Sequence, residues 1–405
     1  MTSDEIKALD EQYVMQTYGR YDVAIEHGEG ATLYSPEGKQ YIDFTSGIGV
    51  SSIGYGNKEW AEAVYAQALK LQHISNLFYS EPYVKLASEL TSRAGMAKVF
   101  FSNAGGEANE GMIKIARKYS FDKYGKGRST IISLLQSFHG RTITTLAATG
   151  QDEFHNYFFP FTEGFIHVPA NDIKALEDTL GAESASEPGG GVCALMIELI
   201  QGEGGVLPLD PGYVKAVADI CAANDLLLLV DEVQTGVGRT GSLFAYQQYG
   251  ISPDVVSFAK GIAGGLPMGG IMANEKCSGV FTPGTHATTF GANPVAAAGA
   301  LEVLRQLDDA ALAAILEKGA YACDAIKGWN LPVVQEIRGM GLMIGISLDG
   351  AAPKKVAQTC SENGLLILTA GADALRMMPP LTITYDELDK GLAILKTVLE
   401  GTYDE

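Results

Sequence analysis

Residues 98–109, KVFFSNAGGEAN, decide the fold, because a short apolar run passes through a tight turn into the start of a helix. Strand-like runs and helix-like stretches then alternate up to residue 273. This alternation is typical of an α/β protein with a mainly parallel sheet wrapped by helices. The predicted strands are residues 98–101, 130–134, 193–197, 226–230, 255–259 and 270–273.

Helix signals fill the intervals between these strands. An apolar stripe predicts a helix from Glu107. Asp210, which is followed by proline, predicts the N-cap of a crossover helix, and Pro294 predicts the first turn of another. Residues 183–191, ESASEPGGG, are predicted to form a surface loop rather than a domain linker, because the sheet pattern resumes directly after them.

Beyond residue 307 the pattern resets and indicates a smaller α/β unit. Its predicted elements are strands at residues 341–348, 365–368 and 376–378, a helix at 353–363 and a last helix after Asp386. A chain of 405 residues is long enough for two or three domains. We expect a large domain over residues 58–293 and a small domain built from residues 1–57 and 294–405.

Composition excludes several classes of function. The chain has 29 basic and 48 acidic residues and a formal charge of −19, so it repels nucleic-acid backbones and anionic membranes. The five cysteines are widely spaced, which suits free thiols in a reducing compartment rather than a metal site. The N-terminus lacks the features of a signal peptide, and no apolar run approaches the ~20 residues of a membrane span. We expect a cytoplasmic protein with small-molecule partners.

Polar residues follow several of the predicted strands, at the edge where an open α/β sheet binds its ligands. They are Asn103, Glu198, Asp231 and Lys260. An acid at a strand end is common in turns, so Asp231 alone indicates little. Lys260 leaves a buried strand and enters the glycine-rich GIAGG segment, where burial would lower its pKa and favour a nucleophilic amine. Taken alone, a surface lysine at a strand exit fits equally well.

Two glycine-rich segments are candidate phosphate sites. Gly105 and Gly106 stand at a predicted helix N-terminus, where exposed N–H groups bind phosphate, although a plain strand-to-helix turn would look the same. Residues 236–241, GVGRTG, match the GxGxxG pattern of dinucleotide-binding proteins. Five residues separate them from their strand, so we interpret them as a glycine-rich loop.

Together, the phosphate cradle, Asp231 and Lys260 match the requirements of pyridoxal phosphate. This cofactor needs a lysine that forms a Schiff base, a carboxylate on the pyridine nitrogen and donors for its phosphate. The carboxylate keeps that nitrogen protonated, so the ring can accept the electrons of a substrate carbanion. The lysine, once released, can move the proton.

At these residues the sequence resembles the class III, fold type I aminotransferases over nearly its whole length. The resemblance rests on ordered segments: SNLFYSEP at 75–82, the cradle, SFHGRT at 137–142, QGEGG at 201–205, DEVQTG at 231–236, AKG at 259–261, TTFGANP at 288–294 and LRMMPP at 375–380. It implies a pyridoxal-phosphate enzyme with a mainly parallel sheet in its large domain and a smaller α/β domain from the two chain ends.

The resemblance implies a role for each residue around the cofactor. Lys260 would form the Schiff base, Asp231 would contact the pyridine nitrogen, and Gln234 would contact the phenolic oxygen. Phe138 would stack on the ring, and the glycine amides of the cradle would bind the phosphate. In the family the threonine that matches Thr289 reaches the phosphate of the neighbouring subunit, which implies a homodimer with active sites at the interface.

The resemblance also implies how substrates are held. Arg141 would bind the carboxylate remote from the reacting amine, and Arg376 would bind the α-carboxylate of glutamate or 2-oxoglutarate. Glu203 would pair with Arg376 when the donor has no carboxylate beside its reacting carbon. Glu198 matches a pocket acid of the family, and His139 is interpreted as a support of the pocket.

The reaction implied by the resemblance is a ping-pong transfer of the δ-amino group of N²-acetyl-L-ornithine to 2-oxoglutarate, a step of arginine biosynthesis. The alternatives are the same chemistry on succinylornithine, ornithine or 4-aminobutyrate, or an aminomutase, which would not need 2-oxoglutarate. A nicotinamide-dependent oxidoreductase would rest only on residues 236–241. A non-catalytic binding protein is disfavoured, because Lys260, Asp231 and both arginines are present.

Overall fold

The computed structural model describes residues 1–186 and 191–401. The strands in these ranges are β1 (His27–Glu29), β2 (Thr32–Tyr34), β3 (Gln40–Asp43), β4 (Lys98–Ser102), β5 (Arg128–Leu134), β6 (Phe165–Val168), β7 (Gly191–Ile197), β8 (Ile200–Gln201), β9 (Leu207–Pro208), β10 (Leu227–Asp231), β11 (Val255–Phe258), β12 (Gly269–Ala273), β13 (Val334–Met340), β14 (Met343–Leu348), β15 (Leu365–Leu366), β16 (Leu368–Ala370) and β17 (Ala374–Met377).

The α-helices lie around these strands, and two short 3₁₀ helices in the described part of the chain, Asp152–Phe154 and Lys260–Ala263, are not numbered among them. The α-helices in the described ranges are α1 (Ser3–Tyr13), the single turn α2 (Ser46–Gly49), α3 (Lys58–Lys70), α4 (Glu81–Ala94), α5 (Gly105–Tyr124), α6 (Ile143–Ala148), α7 (Ile173–Ser186), α8 (Pro211–Ala223), α9 (Tyr246–Tyr249), α10 (Pro294–Gln306), α11 (Asp309–Gly328), α12 (Pro353–Glu362) and α13 (Tyr385–Gly401).

The central sheet has the strand order β4-β12-β11-β10-β7-β5-β6 within the described ranges. β12 is antiparallel to both of its neighbours, and the pairs among β11, β10, β7, β5 and β6 are parallel. The predicted mainly parallel α/β sheet is therefore confirmed. Edge strand β6 lies outside the predicted strands, because its four residues, FIHV, make a short run that a histidine interrupts.

Apolar residues fill the space on both faces of the sheet. Leu228 and Val230 of β10 belong to one buried cluster, and Leu227 and Leu229 belong to another, as expected for alternate residues of a strand. The first cluster includes apolar residues of α8, and the second includes apolar residues of α5. The sheet is thus covered on both faces, which explains why its strands read as continuous apolar runs.

The local signals position most helices close to their predicted starts. Asp210 Oδ1 accepts from the Tyr213 N–H at 3.0 Å, so α8 begins at the expected cap. α5 begins at Gly105 rather than at Glu107, because the chain turns helical directly after the extended Ala104. This earlier start places both glycines of the cradle in the first turn of the helix.

The predicted loop at residues 183–191 is corrected in part. α7 continues through Ser186, and Gly191 already begins β7. Residues 187–190 of that prediction lie outside the described residues.

The two ends of the chain meet in one sheet. β3, from the N-terminal segment, pairs in parallel with β15, from the C-terminal segment, with Ile42 opposite Leu365. A second sheet has the order β13-β14-β17-β16 in the described part of the chain, and it carries Arg376 on β17. No helix in the described ranges is long and apolar enough to cross a membrane.

Candidate active site

A cavity of about 730 Å³ opens at the carboxyl ends of the parallel strands. The predicted site residues that line it are Gly105, Gly106, Phe138, His139, Arg141, Glu198, Asp231, Gln234 and Lys260. These side chains come from different strands and loops, and they meet because parallel strands end at one edge of the sheet. Three further predicted residues, Glu203, Arg376 and Thr289, are not among the residues that line the cavity.

Lys260 stands two residues after the last residue of β11 and lines the cavity. Its φ angle is +46°, a conformation that costs energy for any residue with a side chain. The backbone beyond it is tightly packed, since Ser52 Oγ donates to the Gly261 carbonyl at 2.7 Å. Burial lowers the pKa of the Lys260 amine to about 8, and the nearby Arg376 charge acts in the same direction. An amine with this pKa is readily neutral and nucleophilic.

Asp231 ends β10 and is almost fully buried, with 4% of its side chain exposed. Its Oδ2 accepts from His139 Nδ1 at 2.8 Å and from Asn109 Nδ2 at 2.7 Å. Its Oδ1 accepts from the Val233 N–H at 3.0 Å and from Ser257 Oγ at 3.3 Å. Four donors thus hold the carboxylate in one orientation at the cavity wall.

The phosphate cradle is the first turn of α5. Ala104 at the N-cap has no side-chain acceptor, so the first amides of the helix remain free for a ligand. A Cβ on Gly105 would lie 2.7 Å from Val233 Cγ1, so any larger residue there would have to displace Val233. Gly106 lines the same wall of the cavity. An anion at this point would face unpaired N–H groups and the positive end of the helix dipole.

Glu198 fixes the segment that carries Phe138. Its Oε2 accepts from the Phe138 N–H at 2.9 Å, and its Oε1 accepts from the Gly202 N–H at 3.3 Å. Burial raises the pKa of Glu198 to about 7, so this acid exchanges its proton near neutral pH. The Phe138 ring borders the cavity and meets the edge of Phe154, with ring centroids 5.7 Å apart.

Arg376 and Glu203 form a bidentate ion pair beside the cavity. Arg376 Nη1 donates to Glu203 Oε1 at 2.7 Å, and Nη2 donates to Oε2 at 3.1 Å. Nη1 also donates to Gln234 Oε1 at 3.0 Å, and this contact connects the pair to the cavity wall. Burial, the largest single influence, would raise the pKa of Glu203, but the charge and hydrogen bonds of Arg376, together with Lys260 and Gln234, outweigh burial and lower it.

Arg141 lies at the mouth of the same cavity and is exposed. Its guanidinium carbon lies 4.1 Å from the Phe154 ring centroid and 5.5 Å from the Phe138 centroid. Stacking on aromatic rings orients a guanidinium while its N–H groups stay available. Arg141 can therefore receive a carboxylate that enters the cavity.

Thr289 lies apart from this group, on the protein surface. It borders a separate small cleft formed with residues 73–76, where Asn76 Nδ2 donates to the Gly291 carbonyl at 3.2 Å. Leu77 and Tyr79, which follow residues 73–76, and Phe290, which follows Thr289, are exposed by 87%, 99% and 60%. Within one subunit, Thr289 does not join the cavity that Lys260 lines.

The GxGxxG segment at residues 236–241 is a buried turn. The next helix, α9, begins only at Tyr246, so this segment does not lead into a helix N-terminus that could bind a pyrophosphate. Arg239 within it is buried and donates to the carbonyls of Leu342, at 3.0 Å, and Pro379, at 2.6 Å. This geometry agrees with the interpretation of a glycine-rich loop and gives no support to a nicotinamide site.

Two polar residues at this site are absent from the sequence-based set of site residues. Asn109 lines the cavity and contacts Asp231, and Ser257 contacts Asp231 from the neighbouring strand. The available signal for Asn109 is its spacing, because it follows Gly105 by one helical turn and so shares its face of α5. A buried serine within a strand carries no comparable signal.

Comparison with known proteins agrees with this geometry. Residues 13–399 match the family model "Aminotransferase class-III". An acetylornithine aminotransferase of Haemophilus ducreyi is 50% identical over 98% of this chain and 99% of its own. The N-acetylornithine aminotransferase structure of Stenotrophomonas maltophilia is 34% identical, with a TM-score of 0.84 over 98% of this chain and 99% of its own. The structure of an ornithine aminotransferase of Toxoplasma gondii is 31% identical, with a TM-score of 0.93. The match covers 100% of this chain and 96% of the Toxoplasma chain.

The chain therefore belongs to the class III aminotransferases. It is an enzyme that depends on pyridoxal phosphate. The residues present fit this cofactor, because the uncapped first turn of α5, the buried carboxylate of Asp231 and the amine of Lys260 all border one cavity.

Proposed function

We propose that this enzyme transfers the δ-amino group of N²-acetyl-L-ornithine to 2-oxoglutarate by a ping-pong mechanism, as a step of arginine biosynthesis. The names of the relatives support this substrate. The observation that carries the proposal is the pair of arginines, one open at the cavity mouth and one bound to an acid beside Lys260. Such a pocket offers the Arg141 guanidinium to every substrate. It offers the Arg376 guanidinium only to a substrate whose carboxylate can replace Glu203.

In this proposal Lys260 is the reacting base. When bound, pyridoxal phosphate supplies an electron sink for the carbon beside the reacting nitrogen. The neutral Lys260 amine would take the proton from the δ-carbon of acetylornithine and deliver it to the C4′ carbon of the cofactor. The lowered pKa of Lys260 supports this role, because a neutral amine is available near neutral pH.

Other residues of the cavity would hold the cofactor. Asp231 would pair with the pyridine nitrogen and keep it protonated, and its four hydrogen-bond donors support a fixed carboxylate. Gln234 would contact the phenolic oxygen and Phe138 would stack on the ring. The amides of Gly105 and Gly106 would bind the phosphate, which their place in the first turn of α5 supports.

The arginines would then distinguish the two substrates. Arg141 would bind the carboxylate that lies remote from the reacting amine in both half-reactions. Glu203 would keep Arg376 neutralised while acetylornithine is bound, and would release it to the α-carboxylate of 2-oxoglutarate. Glu198, with its pKa near 7, would complete the wall beside Phe138.

We further propose a cytoplasmic homodimer in which Thr289 of one subunit reaches the phosphate in the other. Thr289 is exposed at the cleft it forms with residues 73–76, and Leu77, Tyr79 and Phe290 in these segments are exposed too; this supports the arrangement, because exposed apolar surface marks interfaces. The five unpaired cysteines support a reducing compartment. The pairing of β3 with β15 supports a small domain of residues 1–57 and 294–405 beside a large domain of 58–293.

A panel of donors tests the substrate. We expect the highest kcat/KM with N²-acetylornithine among acetylornithine, succinylornithine, ornithine and 4-aminobutyrate, each with 2-oxoglutarate as acceptor. We expect no turnover when 2-oxoglutarate is omitted. A higher kcat/KM with another donor would show that acetylornithine is not the preferred donor. Steady turnover without an acceptor would indicate an aminomutase.

Mixed dimers test the shared site. In a heterodimer of a Lys260→Ala subunit and a Thr289→Ala subunit, one site would hold both native residues and the other neither. We expect activity at limiting cofactor to exceed that of either parent. Activity no higher than that of the Thr289→Ala parent would place Thr289 in its own subunit's site.

A further inference from the structure

Asn109 contacts both Asp231, the carboxylate proposed to hold the cofactor, and the segment of His139 that supports Asp231. Its Nδ2 donates to Asp231 Oδ2 at 2.7 Å and to the His139 carbonyl at 2.7 Å. The residue is 1% exposed, and it lies on α5, one turn beyond the cradle. We propose that Asn109 is a positioning residue that fixes Asp231 relative to the phosphate cradle, an inference that rests on the proposed role of Asp231.

The orientation of the Asn109 amide follows from its neighbours. Asp231 Oδ2 and the His139 carbonyl are both acceptors, so the NH₂ group must face them and the oxygen must face away. That oxygen, Oδ1, is buried and has no hydrogen-bond partner in the described part of the chain. An unpaired buried polar atom costs free energy, so the amide is held in place by its two donated bonds. A residue kept only for packing would not need this arrangement.

The contact joins two elements that hold opposite ends of the cofactor. α5 presents the cradle at its first turn, and β10 presents Asp231 at its last residue. Asn109 links α5 to β10 directly, since its side chain extends from the helix and contacts Asp231 at the end of the strand. Without this link, the distance between the phosphate site and the carboxylate would depend on packing alone. Asn109 therefore sets the spacing that a rigid cofactor requires.

The charges around Asp231 make a carboxylate at position 109 unfavourable. His139, Glu198, Glu232 and Lys260 are the titratable groups that act on or beside Asp231. A second carboxylate at hydrogen-bond distance from Asp231 could remain only if it were protonated, because two such charges cannot both ionise there. Replacing the Asn109 amide by a carboxyl group of the same shape therefore tests the donor and not the packing.

The test compares Asn109→Ala and Asn109→Asp with the wild type. Cofactor affinity is measured by fluorescence as pyridoxal phosphate is added to stripped protein, and kcat is measured against pH. We expect the Ala variant to bind the cofactor about tenfold more weakly at every pH, because one hydrogen bond to a charged group is lost. We expect the Asp variant to approach wild-type affinity near pH 5 and to lose at least about tenfold as the pH rises. Glu198 and Lys260 titrate in the wild type and in the variant alike. Their effects therefore cancel in the ratio of the two cofactor affinities at each pH.

Asn274→Asp is the matched control, because Asn274 Nδ2 also donates to a carboxylate, Asp254 Oδ1 at 2.9 Å, outside the residues that line the cavity. Its cofactor affinity should follow that of the wild type at all pH values. If both Asn109 variants lower only the melting temperature, with unchanged affinity and pH profile, the inference is wrong. Asp231→Ala separates the proposed role of Asn109 from the proposed role of Asp231. If this variant leaves cofactor affinity and kcat intact, the assignment of Asp231 itself is wrong.

Discussion

The two arginines of the site lie in opposite environments. Arg141 is exposed, stacks on Phe154, and forms no ion pair within the described ranges. The Arg376 side chain is 3% exposed and is clamped by Glu203 and Gln234. Arg141 lines the cavity and is open, whereas Arg376 lies beside the cavity and already carries a carboxylate.

The difference follows from the cost of burying charge. A hydrated guanidinium such as Arg141 needs no partner, whereas a buried one must be paired or it destabilises the fold. Glu203 supplies that pair in the structure, and under the proposed function a substrate carboxylate would take its place without leaving Arg376 unpaired. We therefore infer that Arg141 is always open to a substrate carboxylate. Arg376, in contrast, would exchange Glu203 for a substrate carboxylate.

Removal of the buried arginine should give the largest effect. We expect Arg376→Ala to lower kcat/KM for glutamate and 2-oxoglutarate by about 100-fold or more, because a buried bidentate contact is lost. The half-reaction with acetylornithine should suffer much less, since its reacting end lacks a carboxylate. Single-turnover rates of both half-reactions check this expectation. Equal losses in the two half-reactions would contradict the assignment of Arg376.

Removal of the exposed arginine should give a smaller and more even effect. We expect Arg141→Ala to raise KM for acetylornithine and for 2-oxoglutarate by about tenfold, with little change in kcat, because an exposed charge contact is weaker. Arg128→Ala is the control, since Arg128 also stacks on an aromatic ring, Tyr124, at the start of β5. Steady-state kinetics that leave both KM values unchanged would remove Arg141 from the pocket.

Removal of the Glu203 carboxylate should change the KM values of the two substrates in opposite directions. We expect Glu203→Gln to lower KM for 2-oxoglutarate by about two- to fivefold, because Arg376 no longer exchanges a charged partner. KM for acetylornithine should rise, since the uncompensated Arg376 charge then faces an uncharged chain. Steady-state measurement of the two KM values on one preparation checks the opposite directions. A change in the same direction for both substrates would argue against an exchange.

The smallest effect concerns stability against pH. The pKa of Glu203 is lowered by Arg376, so the stability that the pair contributes is present above about pH 4.5 and is lost as the pH falls through the lowered pKa. We expect the difference in melting temperature between wild type and Glu203→Gln to shrink over that range. Glu336→Gln is the control, because the Glu336 side chain, which pairs with Arg338, is 60% exposed, and an ion pair of an exposed carboxylate contributes little. A difference that is constant with pH would mean that the pair does not stabilise the fold.

The sequence predicted the parts of the site that depend on local pattern. Asp231 and Lys260 could be recognised because each ends a buried run, and the cradle because glycines mark a strand-to-helix turn. The pairing of Glu203 with Arg376 could be expected only through the family resemblance, since 173 residues separate the two. The contact of Asn109 with Asp231 spans 122 residues and has no local signal at its far end, so it emerges only from the fold.

The most direct test of the central proposal is the absorbance spectrum of the purified enzyme before and after N²-acetylornithine is added without an acceptor. We predict that the absorbance band of the bound pyridoxal form converts to that of the pyridoxamine form, and that 2-oxoglutarate restores the first band. This result would establish both half-reactions. A spectrum that does not respond to acetylornithine but does respond to glutamate would contradict the proposed donor.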